Sequence, residues 1–141
     1  MSTFSRFEEI KAWQLARRLT KEVYELTKRD GFRQDGELRG QIRAASGSVM
    51  HNIAEGFDSG SDAEFVRFLG IARRSTAEVR SELYVAIDQG YISPTEFNTL
   101  TDLALQCRNA LNGLIDYLKR DANSKIQTPK SKLDLRNLRD S

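Results

Sequence analysis

The chain has 141 residues, of which 39% are hydrophobic and 30% charged, with a formal net charge of +2; this suits one soluble globular domain with a core of its own. A single cysteine and a single histidine exclude an internal disulfide framework, most zinc sites and a Cys-His nucleophile pair, which makes an enzyme improbable before any motif is considered. No apolar run approaches the roughly 18 residues of a membrane span and the N-terminus has no signal-peptide pattern, so a cytoplasmic protein without a membrane partner is expected.

Only two prolines occur, Pro94 and Pro129, and no segment alternates with period two over a strand's length. Four helical patterns remain. The first runs from about Phe7 to Lys28, with Ala12, Leu15, Ala16, Leu19, Val23 and Leu26 on one face. A polar loop holding Gly31 and Gly36 follows, and Asp35 is the expected N-cap of the second helix. That helix carries Leu38, Ile42, Ala45, Val49 and Ile53 as its stripe and is expected to end at Gly56 as a C′ glycine. Ser61-Asp62-Ala63-Glu64 has capping-box spacing and opens the third helix, whose stripe is Phe65, Phe68, Leu69, Ala72, Thr76, Val79, Leu83, Ala86 and Ile87 before Gly90 stops it. Ser93-Pro94-Thr95-Glu96 opens the fourth, with proline at N1 and a stripe of Phe97, Leu100, Leu103, Ala104, Cys107, Leu111, Leu114, Ile115 and Leu118.

Four such helices joined by short loops predict an all-α, antiparallel up-down-up-down four-helix bundle over residues 1–121. Residues 122–141 lack a periodic apolar face and are expected to be a disordered basic tail. Charge divides the same way: the body has a net of −1, and the tail a net of +3 that includes Lys125, Lys130 and Lys132.

The outer faces are not all polar. On the second helix Gly40, Gly47 and Ala54 recur every seven residues opposite the apolar stripe, with Ala44 and His51 beside them. Glycine inside a helix costs about 1 kcal/mol relative to alanine, and the usual reason to keep it is close approach of another backbone. The first helix has a second apolar edge at Ile10, Trp13 and Tyr24, and the third has one at Val66, Gly70, Ala77 and Tyr84. Patches of this kind mark interaction sites. Trp13, Tyr24, Gly40, Ala44, Gly47, His51, Ala54, Val66 and Tyr84 are therefore the candidate oligomer interface.

The segment Gln41, Ser48, Val49, Asn52-Ile53-Ala54-Glu55-Gly56, followed by Glu64, Phe65, Phe68-Leu69, Ile71-Ala72 and Ser75, resembles the four-helix-bundle proteins first described as products of intervening sequences in 23S ribosomal RNA genes. Phe7, Ala12-Trp13, Ala16, Leu19, Val23-Tyr24 and the later Gly90-Tyr91-Ile92 extend the resemblance over about residues 4 to 120. Ala44 and Arg74 depart from the residues usual there. The resemblance implies a subunit of a homopentameric ring without catalytic activity. It also implies kinship with the accessory variability determinant proteins of diversity-generating retroelements, which form rings that bind a reverse transcriptase and nucleic acid.

Several side chains invite a chemical role. Gln41, Ser48, Asn52 and Glu55 share one edge of the second helix, either as a polar site or as interhelical hydrogen bonds. The second reading is favoured for Gln41, Ser48 and Asn52, with Glu55 tying down the Phe57 to Gly60 loop and Gly56 structural. His51 is read as a surface or interface residue and Cys107 as a small inert hydrophobe. Glu78 and Glu82 are placed on the outer side, with Arg74-Glu78 an i,i+4 pair; no Glu-x-x-His motif supports a di-iron core, and no metal or cofactor is expected. Arg67, Arg73, Arg74 and Arg80, with Arg39 and Arg43 on the second helix, form the best basic constellation, assisted by the tail lysines. The simpler expectation is that these arginines pair with neighbouring carboxylates. Their functional reading is contact with RNA or DNA.

The expected function is thus a non-enzymatic homo-oligomeric scaffold that meets nucleic acid or a nucleic-acid-processing protein such as a reverse transcriptase. The alternative is a structural or selfish-element product of an rRNA intervening sequence with no ligand.

Overall fold

The computed structural model describes residues 4–124; Lys125, Lys130 and Lys132 of the expected tail lie outside the described residues. A 3-10 turn at Phe7–Glu9 precedes four helices, α1 (Lys11–Thr27), α2 (Gly36–Phe57), α3 (Asp62–Asp88) and α4 (Pro94–Ser124), and no strand occurs among the described residues. None of the described helices is long and apolar enough to cross a membrane.

The helix starts follow from local chemistry. Asp35 accepts a hydrogen bond from the Leu38 N–H at 3.1 Å, and Ser61 Oγ accepts one from the Glu64 N–H at 3.2 Å. At α4 the capping box is complete: Ser93 Oγ accepts from the Glu96 N–H at 3.1 Å, and Glu96 Oε1 accepts from the Ser93 N–H at 2.8 Å. Gly90, with φ +76°, follows the C-cap of α3 as a left-handed terminator.

Three boundaries differ from the sequence reading. The first helical pattern is interrupted at Ile10, whose extended backbone (φ −77°, ψ 123°) separates the 3-10 turn from α1. The interruption turns Ile10 inward to 2% exposure, so it belongs to the core and not to an outer edge. Gly56 does not terminate α2: the helix continues to Phe57, Asp58 is its C-cap, and Gly56 has no positive φ. Its missing side chain serves packing instead, because a Cβ there would lie 2.7 Å from Phe68 Cβ and 3.0 Å from Phe65 Cδ1. Finally, α4 runs to Ser124, three residues beyond Asp121.

The apolar stripes meet in one core. α2 packs most extensively on α3, α3 on α4, and α1 on both α2 and α4. Leu19, Val49, Ile53, Leu69, Val79, Leu83, Cys107 and Leu111 are fully shielded, and burying each large aliphatic side chain is worth about 1.5–3 kcal/mol. Loop residues add to this core. Phe32, between α1 and α2, is fully buried and stacks on Tyr91 with ring centroids 5.3 Å apart. The Tyr91 hydroxyl donates to Asp35 Oδ2 at 3.0 Å, so the two loops at this end of the bundle are held together.

Candidate functional site

The polar edge of α2 divides into an engaged half and a free half. Ser48 Oγ and Ser75 Oγ lie 2.9 Å apart across α2 and α3, and Asn52 Nδ2 donates to the Ser48 carbonyl at 2.8 Å and to its hydroxyl at 3.0 Å. These groups satisfy one another at the helix interface, as buried polar groups must. Gln41 and Glu55 are exposed and outside that network. Glu55 does not tie down the following loop; Ser59 does, its hydroxyl donating to the Gly56 carbonyl at 2.6 Å. Gly56 joins Ser48 and Asn52 at the α2–α3 crossing, while Gln41 and Glu55 take no part in it.

The expected interface residues fall on two separate edges. On α2, Gly40 has nothing within 4 Å of where a Cβ would sit, while Gly47 lies under the His51 ring at 3.4 Å. Ala44 and His51 are exposed and Ala54 half-buried, so the outer side of α2 is a shallow, small-residue face. α1 flanks it. Tyr24 is 41% exposed with the Arg43 guanidinium 4.4 Å from its ring centroid, and Arg43 Nε donates to Thr27 Oγ1 at 2.8 Å. Trp13 meets Phe7 edge-on at 5.1 Å and Arg17 at 5.8 Å, beside an open concavity of about 740 Å³ lined also by Arg6 and Gln14. Val66 and Tyr84 belong to the other edge, on α3.

α3 also carries four of the six arginines of the expected basic constellation, Arg67, Arg73, Arg74 and Arg80. Arg67 follows the simpler expectation, forking onto Glu64 at 3.1 Å through both Nε and Nη2 while its guanidinium covers Phe68. The pairing lowers the Glu64 carboxyl and raises the Arg67 guanidinium, each through their mutual hydrogen bonds first. Arg73 departs from it: Nη1 donates to Asn112 Oδ1 of α4 at 2.9 Å, and it makes no ion pair among the described residues. Arg74 is exposed and makes no ion pair among the described residues, so the expected Arg74-Glu78 pair is absent. Arg39 is engaged elsewhere, donating to the Arg33 carbonyl.

Arg80 was legible as a cation but not as an unusual one. Its Nε is buried without a hydrogen-bond partner among the described residues, as are Thr101 Oγ1 and Arg108 Nε on α4. Sequence reading missed Thr101 and Arg108 altogether. Tyr84 stands at the end of the same edge, 56% exposed, its ring edge-on to Phe97 at 4.8 Å.

Glu82 is a further correction. It is 8% exposed rather than outward, with Oε1 buried and unpartnered. Burial first, and then the charge and hydrogen bond of Glu78, push its carboxyl up to about 8. The two glutamates are each other's neighbours, which leaves Glu78 facing a carboxyl where a guanidinium was expected.

Elsewhere the one thiol of the chain is poorly placed for catalysis. Burial pushes the Cys107 thiol up to about 12, far from a reactive thiolate. Among the described residues, no three His, Cys, Asp or Glu side chains gather where they could hold a metal ion.

Residues 8–113 match the family model described as 23S rRNA-intervening sequence protein, a span that runs from the 3-10 turn into α4. No curated protein matches the chain.

Proposed function

We propose, from the premise that the chain belongs to the 23S rRNA-intervening sequence protein family, that it is a non-enzymatic helical-bundle subunit. It self-associates into a scaffold, pentameric in the form the resemblance implies, on which another macromolecule docks. RNA, DNA and a nucleic-acid-processing protein are the partners that suit its arginine-rich edge.

The observation that carries self-association is the state of the helical glycines. Each costs about 1 kcal/mol relative to alanine. Gly56 repays that cost inside the subunit, through the α2–α3 crossing. Gly40 and Gly70 repay nothing there, since an added Cβ would meet no atom within 4 Å. A second copy of the chain, approaching α2 closely along Gly40 and Ala44, supplies the missing reason for Gly40, with Gly47 buried beneath His51 on the same side. Tyr24, 41% exposed, borders that approach.

The test is light scattering on the purified protein at micromolar concentration. A mass several times the 16.0 kDa of the chain is expected, and Gly47→Leu should lower it while leaving the helical content intact. A stable mass near one chain for the unaltered protein overturns the reading.

A further inference from the structure

We propose that the corner between the 3-10 turn and the start of α1 binds a small aromatic carboxylate. Trp13 is its stacking surface, and Arg17 and Arg6 are its carboxylate contacts. The corner follows from the break at Ile10, whose extended backbone sets the Phe7–Glu9 turn against α1. Phe7 then meets Trp13 edge-on at 5.1 Å, and Gln14 Nε2 donates to the Glu8 carbonyl at 2.9 Å. The Ser5 N–H donates to Glu9 Oε1 at 2.8 Å, so the turn is pinned on both sides before any ligand arrives. The resulting concavity of about 740 Å³ is lined by Arg6, Glu8, Trp13, Gln14 and Arg17. Arg6, Gln14 and Arg17 are exposed and Glu8 and Trp13 half-buried, so a ligand can reach each of them.

Charge selects the ligand's polar group. Arg17 stands over the Trp13 ring, its guanidinium carbon 5.8 Å from the centroid, and makes no ion pair among the described residues. Arg6 Nε lies 3.6 Å from Glu8 Oε1, with those side chains 69% and 41% exposed. A pair that loose and that solvated holds little energy, so the guanidinium is free to turn to a ligand. Two arginines against one glutamate leave the lining with a single positive charge in excess. That suits a monoanion, and the guanidinium fork presents paired N–H donors to the two oxygens of a carboxylate. A phosphate monoester, carrying about −1.5 to −2 at pH 7, would set its second charge against the Glu8 carboxylate.

Shape selects the ligand's body. Trp13 is the one aromatic side chain in the lining, and a planar ring stacks on it in the offset arrangement that aromatic pairs prefer. A ring placed there carries its carboxylate to Arg17, which already stands over the indole. The volume lies in the range of small-molecule sites and admits fused rings. Every lining residue comes from one subunit, so the site does not rest on the scaffold reading, and the two can fail separately.

The chain has one tryptophan, so the Trp13 indole N–H gives a single cross-peak in an isotope-labelled sample and reports directly on the site. The full chain is titrated with naphthoate, benzoate, acetate, benzyl alcohol and phenyl phosphate at constant ionic strength. Naphthoate and benzoate should shift the peak saturably, naphthoate with the lower dissociation constant, at about 1 mM or below. Acetate and benzyl alcohol, each lacking half of the recognised group, should bind at least tenfold more weakly than benzoate, and phenyl phosphate more weakly than benzoate. Arg17→Gln should weaken benzoate at least fivefold while leaving benzyl alcohol unchanged, a split that a merely misfolded corner would not show. Arg74→Gln, altering an exposed arginine of α3, should change neither. No saturable shift with naphthoate up to about 20 mM, a preference for phenyl phosphate, or wild-type benzoate affinity in Arg17→Gln each overturn the proposal. So does a fall in oligomer mass by light scattering in Arg17→Gln, which would make the corner a surface between copies of the chain.

Discussion

Arg29 and Glu96, 67 positions apart in the chain, join the end of α1 to the start of α4 through a two-pronged ion pair. Nη2 reaches Oε1 at 2.9 Å and also donates to the Tyr91 carbonyl at 3.0 Å, so one guanidinium fastens two loops. The same Glu96 carboxylate completes the capping box of α4.

Those contacts, the Arg29 hydrogen bond foremost, hold the Glu96 carboxyl down at about 2, against an ordinary 4.5. The stability they contribute is therefore complete above about pH 4.5 and is lost as pH falls from there to about 2. Both side chains are partly solvated, so Glu96→Gln should cost only about 1 kcal/mol at pH 7. Urea midpoints between pH 7 and pH 2.5 check this. The variant should lose less stability on acidification than the parent, and equal losses would contradict the assignment.

Glu82 should act in the opposite sense. Its folded-state carboxyl lies near 8, so the folded chain keeps a proton that the unfolded chain releases near 4.5. Stability falls as pH rises between those two values. Glu82→Gln, which keeps the shape and cannot ionise, should flatten that decline and stabilise the protein at pH 8 by roughly 1–3 kcal/mol. Thermal melts of both proteins from pH 5 to pH 8.5 measure the difference; parallel curves would show that Glu82 is not the proton-binding group.

Gly56 and Gly40 offer a paired comparison on one helix. Gly56→Ala forces a Cβ to within 2.7 Å of Phe68 Cβ, an atom fixed to its own backbone and unable to swing away. A loss of about 1–3 kcal/mol is expected from overpacking. Gly40→Ala meets nothing in the subunit and should gain up to about 1 kcal/mol from helix propensity in a dissociated chain. Denaturation under conditions that keep the subunits apart tests both signs.

Most of the fold was legible because helices advertise themselves twice, in their caps and in their periodicity. Asp35, Ser61 and Ser93 mark their own N-termini, and the stripes from Ala12 to Leu118 are buried as spaced apart from the half-buried Phe68, Ile87 and Phe97. Ile10 was misplaced because a fixed turn per residue was carried through a break in the helix. Gly56 was misread because a glycine near a helix end fits a terminator and a close crossing equally well; only the position of Phe68 separates them.

The candidate site was less legible, for a different reason. Arg80 and Arg108 belong to different helices, and nothing in either segment says that each keeps a buried Nε without a partner among the described residues. Glu82 is buried beside Glu78 although its helical position falls outside the apolar stripe, which hydrophobic spacing alone does not report. Arg67 was the accessible case, since Glu64 stands three residues away on the same helix.

The sole thiol of the chain, Cys107, is fully enclosed in the centre of α4. A thiol-specific reagent therefore cannot modify the native protein until the bundle opens, and the rate of modification becomes a clock for that opening. Ligands or subunit contacts that hold the helices together should slow the clock in proportion to the stability they add. The native background is correspondingly silent. A cysteine installed at exposed Ala77, beside Arg80, would take the label alone and report directly on what occupies the edge of α3.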